Sequence, residues 1–177
     1  VAVIDTLGEY SEIFPPLPGQ LTLAEQVYLF AKWRPESSVQ ASFLLPPEHM
    51  STAFNYLCKA AYMAGNLTLV IEEIDYFSKP TWNEPGLDLL IRYGRHRNVN
   101  VIYTVRNLVE TSRRLTSQTD AFVIFRIDEP RYLDEIEKRL GVDVAVRVAN
   151  LGEHEHTIVE INPSQGQGQG QSNDETV

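Results

Sequence analysis

The sequence has a single cysteine, Cys58, in 177 residues. One thiol excludes an internal disulfide and any cysteine-based zinc cluster, and it fits a reducing compartment such as a cytoplasm. Long hydrophobic runs are missing as well. No stretch approaches about 18 uncharged apolar residues, the length a membrane-spanning helix needs. Basic residues are scarce, 15 Lys and Arg against 24 acids, for a formal charge of −9 and a pI near 4.9. That balance excludes a simple nucleic-acid coat, whose surface would be basic throughout. No basic, apolar leader opens the chain, so no secretory signal is expected. What is present is an apolar fraction of 43% in a chain of ordinary domain length, enough to build a core.

The acidity is uneven. Residues 92–114 hold six arginines (Arg92, Arg95, Arg97, Arg106, Arg113, Arg114) and one acid, Glu110, a net of +5. Nine basic and 23 acidic residues elsewhere leave −14. Such a band suits an anionic ligand or an acidic neighbouring subunit; solvated arginines on helix faces are the plainer alternative.

Strands and helices alternate along the chain. Val1–Ile4 reads as a buried strand ending in Asp5, with no element and no initiator Met before it, so an upstream segment is expected to be missing. A Gly- and Pro-rich loop follows to Gly19. Thr22 and Glu25 have capping-box spacing and open a helix to about Trp33. Val39–Leu45 reads as a strand, and Pro46-Pro47 starts a helix striped by Met50, Phe54, Leu57, Cys58 and Ala61, ended by Gly65. Strands are expected at Leu67–Ile71, Val99–Thr104, Ala121–Ile127 and Thr157–Ile161. Helices are expected at Leu87–Tyr93, around Leu108–Leu115, and along Leu133, Ile136 and Leu140 up to Gly141. The alternation predicts an α/β fold, a mostly parallel sheet flanked by helices on both faces, with the strands ending at Asp5, Leu45, Glu73, Thr104 and Ile127 in one sheet. Residues 1–163 are expected to form one core, and the Gly-Gln repeat of 164–177 a disordered tail.

The segment LTLVIEEIDYF, Leu67–Phe77, carries the most chemistry. An apolar strand that ends in two acids has the shape of a Walker B motif. A carboxylate at the C-terminal edge of a parallel strand can hold the water shell of Mg²⁺ on a nucleotide, and a second one can deprotonate the attacking water. A buried strand ending in solvated acids is the rival account. Further on stand Arg92-Tyr93-Gly94-Arg95-His96-Arg97, the strand ending in Thr104-Val105-Arg106-Asn107, and Arg126-Ile127-Asp128-Glu129-Pro130.

Taken in order with Val3-Ile4-Asp5-Thr6-Leu7-Gly8-Glu9-Tyr10, these segments resemble the HerA/FtsK-type P-loop ATPases, above all the small genome-packaging ATPases of viruses with internal membranes. The resemblance spans residues 1 to about 140. It implies an ATP-driven translocase of double-stranded DNA, working as a homo-oligomeric ring, a hexamer, in the host cytoplasm or the virion. It implies ATP and Mg²⁺ as cofactors, Glu72 on the Mg²⁺ water shell, Glu73 as catalytic base, Thr104 as the γ-phosphate sensor and Arg106 beside the nucleotide. Arg95 or Arg97 would be a finger reaching a neighbour's site, a task suited to a planar guanidinium.

Two features depart from the family. Glu72 stands where Asp is usual. No G-x-x-x-x-G-K-[ST] occurs in the sequence, so the backbone N–H groups and Lys that grip β- and γ-phosphates are missing from this chain. The loop is expected upstream of Val1, and this chain by itself is expected to bind ATP weakly or not at all. The rival functions are a nucleotide-free assembly module of the same fold and a phage morphogenesis factor like zonular occludens toxin. Glu153-His154-Glu155-His156 offers two imidazoles to a metal but no third ligand, and exposed turn histidines explain it better. Cys58 reads as a core thiol.

Overall fold

The computed structural model describes residues 1–6, 25, 41–45 and 47–161. The Gly- and Pro-rich loop, the helix expected from Thr22 to Trp33 (Glu25 apart) and the tail expected over 164–177 lie outside the described residues. The chain divides into two compact units, Val1–Ser117 and Gln118–Val177.

The first unit is built on a four-stranded parallel sheet of β1 (Ala2–Asp5), β2 (Ala41–Leu44), β3 (Leu67–Ile71) and β6 (Val99–Tyr103), in the order β2-β1-β3-β6. Helix α1 (Met50–Ala64) joins β2 to β3, and α2 (Pro85–Tyr93) lies between β3 and β6. The apolar stripe read from the sequence is the buried face of α1: Phe54, Leu57, Cys58 and Ala61 pack with Ile4, Leu69 and Ile71, and Met50 is partly buried against them. Phe54 stacks on Phe77, ring centroids 3.7 Å apart. Burying each such side chain contributes about 1.5–3 kcal/mol.

The two helices are stitched together at the start of α2. The Glu84 carboxylate, buried, accepts hydrogen bonds from Ser51 Oγ and Asn55 Nδ2, and Asn55 Oδ1 accepts from Gly86 N at 2.6 Å. Gly86 is required there, since a Cβ would lie 2.8 Å from Cys58 Cβ and 2.9 Å from Asn55 Cα. At its other end α1 stops at Gly65, φ +65°, and Asn66 N bonds Arg97 O at 2.9 Å.

Several elements differ from the sequence reading. A two-stranded ribbon, β4 (Ser78–Lys79) with β5 (Trp82–Asn83), was not foreseen. The helix expected around Leu108–Leu115 is a 3₁₀ turn at Leu108–Glu110 and a short α3 (Arg113–Ser117). Hydroxyls break it: Thr111 Oγ1 donates to Leu108 O, and Ser112 N donates to Ser78 Oγ, which ties the backbone to the ribbon instead of to a helix. The strand expected to end at Ile127, β7 (Ala121–Phe125), does not join the parallel sheet. It pairs antiparallel with β8 (His156–Glu160) in the second unit.

In that second unit α4 (Pro130–Leu140) ends at Gly141, φ +104°, as the sequence indicated. A further helix, α5 (Val142–Ala149), follows at once and buries Val144, Ala145 and Val148. Its VDVAVRVA sequence alternates like a strand, and packing against α4 overrides that local pattern. The face of the ribbon carrying Val123, Phe125 and Ile158 is exposed.

Candidate active site at the C-terminal edge of the sheet

The order β2-β1-β3-β6 contains a reversal. From β1 the chain moves outward to β2, then returns past β1 to β3 and continues in that direction to β6. Right-handed crossovers place the returning connections on one face, where α1 and α2 indeed pack together. The reversal therefore lies between β1 and β3, and the crevice outside the carboxyl ends of those strands is where open α/β sheets bind ligands. Asp5 and Thr6 leave β1 there, and Glu72 and Glu73 leave β3.

Backbone bonds carry the pairing past the strand ends: Glu72 N donates to Ile4 O at 3.2 Å and Thr104 N to Ile71 O at 3.0 Å. Both acids are buried, at 7% and 4% exposure. Glu73 has φ +51°, the left-handed conformation that costs a non-glycine residue about 1–2 kcal/mol. Its neighbours hold it there. Thr104 Oγ1 accepts from Glu73 N at 2.9 Å, and Thr104 O accepts from Ile74 N at 2.9 Å. Arg106, 64% exposed at its side chain, reaches back to pair its Nη2 with Glu73 Oε1. Glu73 and Thr104 thus stand at one edge on adjacent strands, as the sequence predicts, and Arg106 joins them.

Glu73 Oε2, Thr6 Oγ1, Asp75 Oδ1 and Asn107 Oδ1 are buried oxygens with no hydrogen-bond partner among the described residues, and all four follow the C-terminal ends of β1, β3 and β6. Buried polar atoms are normally satisfied, so four orphans past one edge of the sheet mark a place shaped for something polar. Among the described residues no three His, Cys, Asp or Glu side chains gather to ligate a metal directly. Mg²⁺ makes no such demand: it keeps several waters and is held by one or two carboxylates plus phosphate oxygens. The all-oxygen set around Glu72 and Glu73 fits it. Thr6, Asp75 and Asn107 lie inside the segments singled out in the sequence, but the sequence reading gave them no role.

Arg95 and Arg97 are not brought to Glu73. They precede β6, at the opposite end of the strand from Thr104. Arg95 is exposed. Arg97 caps α1: its Nη2 donates to Met63 O at 2.9 Å, its Nε to Tyr62 O at 3.3 Å, and its guanidinium lies 6.0 Å from the Tyr62 ring. Arg92 and Arg114 both pair with Asp88, whose other oxygen accepts from Asn83. Cys58 is fully buried, and burial, with the Glu84 carboxylate nearby, pushes its thiol well above the ordinary range.

In the second unit, an open concavity of about 440 Å³ is lined by Phe125, Arg126, Asp128, Glu153 and His154. Its polar side chains face one another, Arg126 Nε with Asp128 Oδ1 at 3.0 Å and His154 Nε2 with Glu153 Oε1 at 3.7 Å. His156 sits on β8 against the Phe125 ring and His154 in the preceding turn. No helix among the described residues is long and apolar enough to cross a membrane.

No protein-family profile matches the chain, and no curated protein matches it in sequence. Solved structures do match. The genome packaging NTPase B204 from Sulfolobus turreted icosahedral virus 2 in complex with ATP-gammaS superposes with a TM-score of 0.72 at 21% identity, over 90% of this chain and 76% of that one. Its complex with sulfate gives 0.72 at 21% identity, over 90% and 75%. B204, the DNA-packaging ATPase from Sulfolobus Turreted Icosahedral Virus, gives 0.67 at 20% identity, over 90% and 76%. A parallel sheet with its acids at the reversal point, matched across nine-tenths of the chain, gives this protein the fold seen in the viral genome packaging NTPase B204, a P-loop NTPase fold.

Proposed function

We propose that this chain is the core of an ATP-driven DNA translocase that packages a genome. The observation that carries the reading is Glu73: a buried carboxylate in a costly backbone conformation, held by Thr104 and Arg106 at the switch point of a fold shared with packaging NTPases. Strain of this kind persists only where surrounding contacts over-determine it, and it concentrates at functional sites.

In this reading Glu73 takes the proton of the attacking water. The Thr104 hydroxyl already accepts from Glu73 N, and its own proton remains to be donated to the γ-phosphate. Contact with the phosphate is thereby coupled to the placing of the base. Arg106, its side chain largely exposed, stands where it can leave Glu73 for the phosphate charge. Glu72 and Glu73 would hold the water shell of Mg²⁺, whose chemistry is to neutralise charge on the β- and γ-oxygens. Arg95, exposed and away from Glu73, is the candidate for a finger acting in a neighbouring subunit of a ring; Arg97 is already engaged with α1.

The test is DNA-stimulated ATP hydrolysis by the product of the full reading frame. Glu73→Gln should lower kcat by about 10³-fold or more, the scale of losing a general base and its positioning. Hydrolysis at the wild-type rate in Glu73→Gln would refute the assignment. Folded protein with no nucleotide binding would favour the assembly-module reading instead.

A further inference from the structure

Thr6, like Asp75 and Asn107, has a buried oxygen to which the hydrolytic reading gives no task. It follows β1 directly, is more than nine-tenths buried, and its Oγ1 has no partner among the described residues. β1 is the neighbour of β3 on the side away from β6, and Ile4 pairs with Ile71. The chain thus leaves β1 at Thr6 beside the point where it leaves β3 at Glu73, since adjacent strands run about 4.8 Å apart.

Glu73 is held on two sides already, its main-chain N–H by Thr104 and its Oε1 by Arg106, and its Oε2 remains. A carboxylate oxygen only accepts hydrogen bonds, whereas a hydroxyl donates and accepts. One small group complements both: a water that donates to Glu73 Oε2 and accepts from Thr6.

We propose that Thr6 is a positioning residue, its hydroxyl holding the attacking water against Glu73 Oε2. The inference rests on the hydrolytic reading above. The step balances as the water oxygen bonds the γ-phosphorus, its proton passes to Glu73 Oε2, and the electron pair of the breaking bond goes to the β,γ-bridging oxygen of departing ADP. A hydroxyl in this place fixes the direction of the water's lone pair, which a carboxylate alone leaves free to swing.

Three variants test it: Thr6→Val, which keeps the shape and removes the hydroxyl, Thr6→Ser, which keeps the hydroxyl, and Glu73→Gln. A crystal structure of this chain that resolves ordered water should show one within hydrogen-bond distance of both Thr6 Oγ1 and Glu73 Oε2, kept in Thr6→Ser and lost in Thr6→Val. In the product of the full reading frame, with ATP and Mg²⁺, Thr6→Val should lower kcat by about 10–100-fold with KM within about twofold, and Thr6→Ser should come within about threefold of wild type. If Glu73→Gln is inactive while Thr6→Val turns over normally, the role of Thr6 falls and the Glu73 assignment stands. If the wild type does not hydrolyse ATP, or Glu73→Gln is unaffected, the hydrolytic reading falls and takes the role of Thr6 with it.

Discussion

Replacing Thr104 by valine removes one hydroxyl and preserves the side chain's shape. The backbone bonds of Thr104 to Ile71 O and from Ile74 N are untouched, so the pairing of β6 with β3 survives. What is lost is the acceptor for Glu73 N, in a residue 4% exposed. A buried N–H left without a partner costs about 1–3 kcal/mol. The left-handed conformation of Glu73 already stores about 1–2 kcal/mol. Relaxation of that backbone would return part of it, so the net loss should be about 1–2 kcal/mol. In a chain of this size that is a fall in Tm of about 2–8 °C. Thr104→Ser keeps the hydroxyl and should stay within about 0.5 kcal/mol of wild type. Urea denaturation gives the stabilities, and amide hydrogen exchange reports the Glu73 N–H itself. A valine variant as stable as the serine variant, with the Glu73 amide still protected, would show that the hydroxyl does not hold the base, and the proposed coupling would fail with it.

Arg106→Ala should cost about 1–2 kcal/mol by chemical denaturation, less than a fully buried pair because the guanidinium is largely in solvent; no change would mean the pair does not persist in solution. Gly86→Ala should destabilise by about 1–3 kcal/mol, since its Cβ meets Asn55 and Cys58 of α1, and an unchanged denaturation midpoint would contradict that close approach. The Cys58 thiol should resist disulfide-exchange reagents at pH 8 and react once the chain is unfolded. Because its folded pKa is raised, its contribution to stability is complete below about pH 8.5 and is lost as pH rises further, by about 1.4 kcal/mol per unit, so a flat profile there would contradict its burial. Calorimetry of this chain with Mg-ATP should show no tight site, and sub-micromolar binding would mean that the phosphates are gripped by residues not identified above.

The sequence by itself determined the class of fold and half of the site. Strands β1, β3 and β6 were legible because each is a short apolar run bounded by turn or cap residues, and α1 because its stripe repeats at helical spacing. As candidates, Glu72 and Glu73 were legible because they close an apolar strand, a position the sequence marks directly, whereas Thr104 and Arg106 were picked out only by the resemblance to the packaging ATPases.

Tertiary structure alone decided the rest. Strand order is a long-range choice, and only the order β2-β1-β3-β6 places Thr6 and Glu73 past the ends of adjacent strands. Only the meeting of Arg97 with the end of α1 engages that arginine in capping while Arg95 stays exposed, although the two read alike in sequence. β7 was legible as a strand, but its partner was not, because an apolar run specifies burial and leaves the choice of edge to whichever strand the folded chain presents.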